Sequence, residues 1–480
     1  MSARKNIRFA GLLFWVASFL TSLFAGEVFD HDWGPFYGEY EDVYGNQRVK
    51  YLGPIGDHKT DATGDLIRAV RPFYHMGYQA EGDFRRSEFL WPIGVRRTRD
   101  DSSYTRVLLN FFWNWDVKDP SSAWRMWLLP FYFQGRAHDG ESYAALFPIY
   151  GNLHEFFFWD RIDFTLWPLW VESWKNDVHA KTAFWPLFSK TTGDGIDRFR
   201  MFPFYGYSES EGLGRKTFVL WPFFTFVRYD IPESSGTGWI LFPLTGHLKL
   251  TDQETWWLLP PIFRYTQGEQ QSRLFGPWPI FQKEEGEVDK FYLLPFYGRK
   301  SHAGVDKWLF LWPLGQAERS ERVLGTKEKF RFFPFVQSFK EQPAPEYPTE
   351  KGRTHYLKVW PLFQRYTEQE ETVQELRVFD FNPMRGGPVD RNYAPFWQIY
   401  SRSQVEDAVD TEFLWGLYRS SKRGEDYRYR SLFPLFSWSR EQEGGHFSLL
   451  KGLLSRKKNG EDIQWRLLYL FKFGDSGESQ

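Results

Sequence analysis

The sequence predicts an all-β protein, an antiparallel meander of about 24 strands built from an 18–19-residue repeat. Three observations predict it. An apolar segment centred on proline recurs at steady spacing through the chain. Charged and Gly/Asp/Ser-rich stretches separate the copies, as turns separate strands. A helix is excluded, because an interior proline in every copy would cost about 3 kcal/mol each. The expected closure is an up-and-down barrel, with a β-repeat solenoid or propeller-like array as the alternative.

Taken in order, the first element is an address. Residues 1–25 read as a secretory signal: Arg4, Lys5 and Arg8 precede an uncharged stretch from Phe9 to Gly26, with Ser22, Ala25 and Gly26 near a cut. An uncleaved anchor helix is the alternative. Residues 26–480 then form a single repetitive all-β domain.

The repeat itself is two or three apolar residues, proline, then two or three more. Its Trp-Pro copies are Trp91-Pro92, Trp167-Pro168, Trp185-Pro186, Trp221-Pro222, Trp278-Pro279, Trp312-Pro313 and Trp360-Pro361. Phe or Leu stands before proline in others, such as Phe202-Pro203 and Leu294-Pro295. Eleven intervals cover the 204 residues from Pro130 to Pro334, a mean of about 18.5. Degenerate copies include VLLNFFWNW, LWGLY, where Gly416 takes the proline place, and the final LLYLFKF. Each copy reads as one strand of roughly 11–12 residues with proline at its middle, followed by a polar turn. From Trp185 to Trp360, Trp alternates with Phe or Leu before successive prolines with one slip at Phe242–Leu259, the two-copy period expected if alternate strands run in opposite directions.

Strand length and export favour an outer-membrane barrel. Two features oppose it. Read as one strand, residues 216–227 are apolar on both faces, whereas a porin alternates. Proline at mid-strand also cannot donate to a ladder. An apolar, filled lumen would reconcile these, and would suit an apolar passenger.

Composition narrows the function. Of 480 residues, 49 are Phe, 25 Tyr and 24 Trp, far too apolar for disorder. With no Cys, disulfide frameworks, thiolate metal sites and thiol nucleophiles are excluded. Sixty Lys and Arg against 61 Asp and Glu give a net charge of −1, so no bulk attraction to nucleic acid exists. Mean hydropathy of −0.53 excludes a polytopic helical membrane protein.

No catalytic constellation emerges, and the expectation is a protein that is not an enzyme and has no cofactor. The ten His residues show no H-x-x-x-H spacing, so no metal site is expected. GLGRKT at 212–217 lacks phosphate-loop spacing, and TTGDGID at 191–197 carries an Asp-Gly turn signal. Rows of Trp-Pro could stack on a glycan or an apolar ligand, set against their reading as repeated core packing. Two stretches break the repeat: the Pro-rich residues 342–352, read as a loop, and residues 381–400. The latter gather Asn382, Arg385, Asp390 and Arg391, the candidate binding residues, since a break in a repeat often carries function. The expected role is an exported cell-envelope protein, structural or transport-related and in contact with membrane lipid. The rival is a soluble or surface-attached binding module for a glycan or apolar ligand.

Overall fold

The computed structural model describes residues 32–474 except 120, 370, 371, 384 and 385. The export-signal segment and Arg385 therefore lie outside the described residues. The protein is all-β: 45 strands form one antiparallel meander, and helix among the described residues is confined to Pro388–Asn392 and two short 3-10 turns. The sheet is not closed. Among the described residues, the first strand Tyr37–Glu41 pairs with Gln47–Tyr51, and the last strand Phe471–Phe473 pairs with Asp462–Leu467.

The strand count corrects the expected 24, and the reason is local. Each repeat is a hairpin of two short strands. Strands Gly214–Val219 and Phe224–Tyr229 pair across a turn at 220–223 that contains Trp221-Pro222. Proline is thus a turn residue and not a mid-strand one, and the bond preceding it is cis. Two strands of six residues, a proline turn of three or four and a polar turn of two or three make up the 18.5-residue period. Trp91-Pro92, Trp167-Pro168, Trp185-Pro186, Trp278-Pro279, Trp312-Pro313 and Trp360-Pro361 are placed the same way.

A second correction follows. Because reversal happens inside each repeat, the proline turns share one edge of the ribbon, and the Trp/Phe alternation does not mark strand direction. Neighbouring pre-proline rings instead meet along that edge. Ring centroids lie 5.2 Å apart for Phe147 and Trp167, 5.8 Å for Trp167 and Trp185, and 5.3 Å for Phe202 and Trp221. The opposite edge is made of tight polar turns. Asp194-Gly195 is a two-residue turn with φ of 51° and 66°, as the Asp-Gly signal predicts. Gly416 does occupy a proline place, and a loop does follow strand Val336–Pro343.

Splitting the strands at proline also changes the face pattern. Paired residues share a face. On one face Val219 and Phe224 lie beside the proline turn, Thr217 and Phe226 come next, and Arg215 and Arg228 lie near the polar edge. On the other, Phe218 pairs with Thr225, and then Lys216 with Val227. The apolar-to-polar gradient therefore runs along the strands, from edge to edge. It appeared in the sequence as an apolar centre flanked by charges.

The frequent Tyr-Gly after proline has a packing reason. Gly206 lies opposite Phe218, and a Cβ there would meet that ring at 2.5 Å. The bare glycine lets the cross-strand aromatic lie over the backbone.

The chain divides into two units. One takes Met1–Arg71, Glu375–Phe379 and Pro395–Gln480; the other takes Pro72–Gln374 and Asp380–Ala394. Within the second, Phe133, Tyr143, Ala145, Leu153 and Phe164 form a buried apolar cluster on one face of four adjacent strands.

Candidate functional site

Three features stand out from the repeat. The first is the proline-turn edge. At 220–223 the Leu220 N–H donates to the Phe204 carbonyl, Trp221 N–H to the Pro203 carbonyl and Phe223 N–H to Leu220, at 2.7, 2.7 and 2.8 Å. Pro222 has no N–H, so no backbone donor of this turn is free. The turns at 166–169, 184–187 and 311–314 repeat the same three bonds. Their side chains are apolar and face outward: Trp185, Trp221, Trp278 and Trp312 are each 51–53% exposed. At these four positions packing covers only about half of each ring. Trp91 and Trp360 are more covered. The Trp91 ring meets Tyr393, and the Trp360 indole N–H donates to the Phe381 carbonyl at 3.0 Å.

The second feature is the segment 380–394, which contains the candidate binding residues. The structure brings Asn382, Asp390 and Arg391 together with partners of their own. Asn382 is buried and donates to Asp390 Oδ1 at 2.5 Å; the other Asp390 oxygen accepts the Gly386 N–H. Arg391 and Asn392 donate to Glu88, at 2.9 and 2.6 Å, and Arg86 lies 2.7 Å from the same carboxylate. Glu88 has no exposed surface. Burial alone would raise its pKa, but the bonds from Arg391 and Asn392 and the charges of Arg391 and Arg86 outweigh it and hold the carboxyl ionised. Asp380 meets Lys358 at 3.0 Å, both 1% exposed. The segment is thus a strap bonded onto strands Phe84–Phe89 and Thr354–Val359. Asn382, Asp390 and Arg391 are each bonded within the fold.

The third feature lies in the first unit, where side chains from both ends of the chain meet. Arg419 reaches Asp32 at 3.2 Å and Glu412 at 3.8 Å, and its guanidinium lies over the Tyr40 ring at 4.3 Å. Lys50 pairs with Glu412. Arg48 holds Asp57 with two parallel bonds of 2.9 Å, and Arg71 adds a third at 3.0 Å. Burial pushes both carboxyls up. Lys50 and Arg419 outweigh it at Glu412, whose pKa is about 2, and Arg48 and Arg71 hold Asp57 well below the carboxylate range. Sequence reading missed Glu88, Lys358, Asp380, Glu412 and Arg419. The available signal was a charge within two residues of an apolar turn, as in KVWP, VFDF and EFLWGLYR.

No protein-family model matches the chain, and a search of curated proteins finds no match.

Proposed function

We propose that this is an exported cell-envelope β-repeat protein that seats its proline-turn edge in one leaflet of a lipid bilayer, with a structural or transport role. The observation carrying the reading is a set of turns, at 166–169, 184–187, 220–223 and 311–314, that are apolar in their side chains and leave no backbone donor free. Half-exposed Leu220, Trp221 and Phe223 leave roughly 300 Å² of apolar surface on one turn. Two adjacent turns already match the largest patch of a typical soluble monomer, about 300–600 Å². Dehydrating one turn is worth about 7 kcal/mol at about 25 cal/mol per Å². Lipid offers no hydrogen bonds, so an edge entering it must leave no N–H unpaired.

Depth agrees. Six-residue strands reach about 20 Å, short of the ~30 Å hydrocarbon core that spanning requires. The apolar half of a strand plus its turn reaches about 15 Å, one leaflet. Seating in a leaflet therefore replaces the spanning barrel as the favoured form, while the export-type N-terminal sequence supports an envelope location. The cross-strand row Phe226, Trp239, His247, Trp256 and Tyr265 supports a second reading, a surface module for a glycan or apolar ligand.

The test is flotation of the full chain with phosphatidylcholine/phosphatidylglycerol vesicles, with Trp emission quenched by brominated acyl chains. Flotation with quenching is expected, and both should weaken in Leu220→Gln/Phe223→Gln. A chain that stays unbound to vesicles, or a variant that binds as before, overturns the proposal; glycan binding without flotation selects the second reading.

A further inference from the structure

A turn on the polar edge gathers metal-ligand chemistry that local sequence spacing conceals. Asp139 and Glu141 lie in the turn between strands Tyr132–Arg136 and Ser142–Leu146, and His154 lies on the next strand, Tyr150–Phe156. One donor atom from each of the three falls within 4.8 Å of the others. His154 is only 5% exposed, and its buried Nε2 has no hydrogen-bond partner; Glu141 Oε2 faces it at 3.7 Å, beyond hydrogen-bond length. A buried imidazole nitrogen left unsatisfied is uncommon and calls for a partner.

The surroundings hold the imidazole in place. Its ring stacks on Tyr143 at 5.7 Å with an interplanar angle of 11°. The Asp139 Oδ1 accepts the Glu141 N–H at 2.9 Å, and Gly140, with φ of 88°, lets the turn bring both acids to one side. The neighbouring charges bond other carboxylates, although Arg161 also lies within electrostatic reach of Glu141. Arg161, opposite His154 in the ladder, bonds Asp163 at 2.9 and 2.8 Å, while His138 and Arg125 hold Glu155 at 2.6 and 3.5 Å.

We propose that Asp139, Glu141 and His154 bind a divalent first-row transition cation, with zinc as its type, and that the ion staples the turn to strand Tyr150–Phe156. One imidazole with two carboxylates is a donor set suited to zinc, and an imidazole donor disfavours calcium and magnesium. Four-coordinate zinc sets its ligands roughly 3.3 Å apart. The 3.7 Å between Glu141 and His154 is already close, and the exposed acids can turn to close the rest. Solvent completes the shell from the open side.

The test is calorimetric titration of the chelator-treated full chain with Zn²⁺, with Co²⁺ absorption reporting the donor set. The expected result is one equivalent bound, at least tenfold weaker in His154→Gln, Asp139→Asn and Glu141→Gln and unchanged in His138→Gln. Magnesium and calcium should bind at least tenfold more weakly than zinc. Glu141 is exposed, so E141Q removes a ligand without disturbing the buried layer. Unchanged affinity in E141Q, absence of stoichiometric binding, or loss in His138→Gln alone overturns the assignment. None of these outcomes depends on lipid binding.

Discussion

Glu412 offers the sharpest test of the clasp between the two ends of the first unit. Its carboxylate serves Lys50 and Arg419, and its pKa falls from the ordinary 4.5 to about 2 although burial acts the other way. That difference corresponds to about 3 kcal/mol of stabilisation of the folded state. The sign is fixed. A carboxyl with a depressed folded-state pKa contributes fully above its unfolded value, and the contribution fades as pH falls from about 5 toward 2. Glu412→Gln should therefore lower stability at pH 7 by about 3 kcal/mol, within the range for breaking a buried pair. Its penalty should shrink to a small remainder near pH 2, where the wild-type carboxyl is already about half protonated. Urea midpoints of both proteins across pH, at constant m-value, give the measurement. A penalty that is absent at pH 7, or as large at pH 2 as at pH 7, would refute the reasoning.

Two other perturbations probe the fold by different routes. Lys358→Met strands the Asp380 carboxylate at a site 1% exposed and should cost about 3–5 kcal/mol, whereas Lys358→Met/Asp380→Leu should recover most of it; equal urea midpoints for the single variant and wild type would show that the pair contributes nothing. Gly214→Ala sets a Cβ 2.0 Å from the Arg228 carbonyl oxygen at φ of 114° and should cost roughly 2 kcal/mol or more, while Gly212→Ala, with φ of 72° and open space around it, should cost about 1 kcal/mol; thermal unfolding that ranks them the other way contradicts the hairpin geometry.

The repeat, its period, its antiparallel strands and its polar turns were legible in the sequence because each has a local cause. Asp194-Gly195 demands positive φ, and charge clusters demand water. The place of proline was misread because turns are ordinarily polar, and residues such as Leu220, Trp221 and Phe223 resemble a strand centre. Had Pro222 been taken as a chain reversal, the 18.5-residue period would have divided into two six-residue strands, and the count would have risen accordingly. The strap at 380–394 was found through its broken spacing, but its partners were not. Glu88 and Arg391 are 303 residues apart, a separation that no local pattern encodes. His154 escaped for the same reason: its companions belong to a neighbouring hairpin.

The turns that lack proline differ in their surroundings: those at 108–110 and 468–470 are exposed and apolar, and two others are held by neighbouring groups. Gly416, itself buried, takes the proline place where a Cβ would come within 2.9 Å of the Gly34 carbonyl oxygen. Lys451 and Gly452 replace it where the lysine ammonium donates to the Asp32 carbonyl. In both places neighbouring protein groups meet the turn. At 108–110, where proline is again missing, Asn110 turns its amide to the Leu129 carbonyl at 3.3 Å. Proline is kept in turns such as 166–169, 184–187, 220–223 and 311–314, where the edge is apolar and uncovered. Water would satisfy a spare N–H at no great cost, so an edge meant to stay wet gains little from deleting one. An edge that enters lipid gains several kcal/mol for each donor it lacks. Under the proposed leaflet seating, a proline in these turns removes a donor that lipid could not satisfy, and converting Pro222 and Pro313 to alanine should weaken vesicle binding more than it weakens the fold; equal vesicle binding would refute that role.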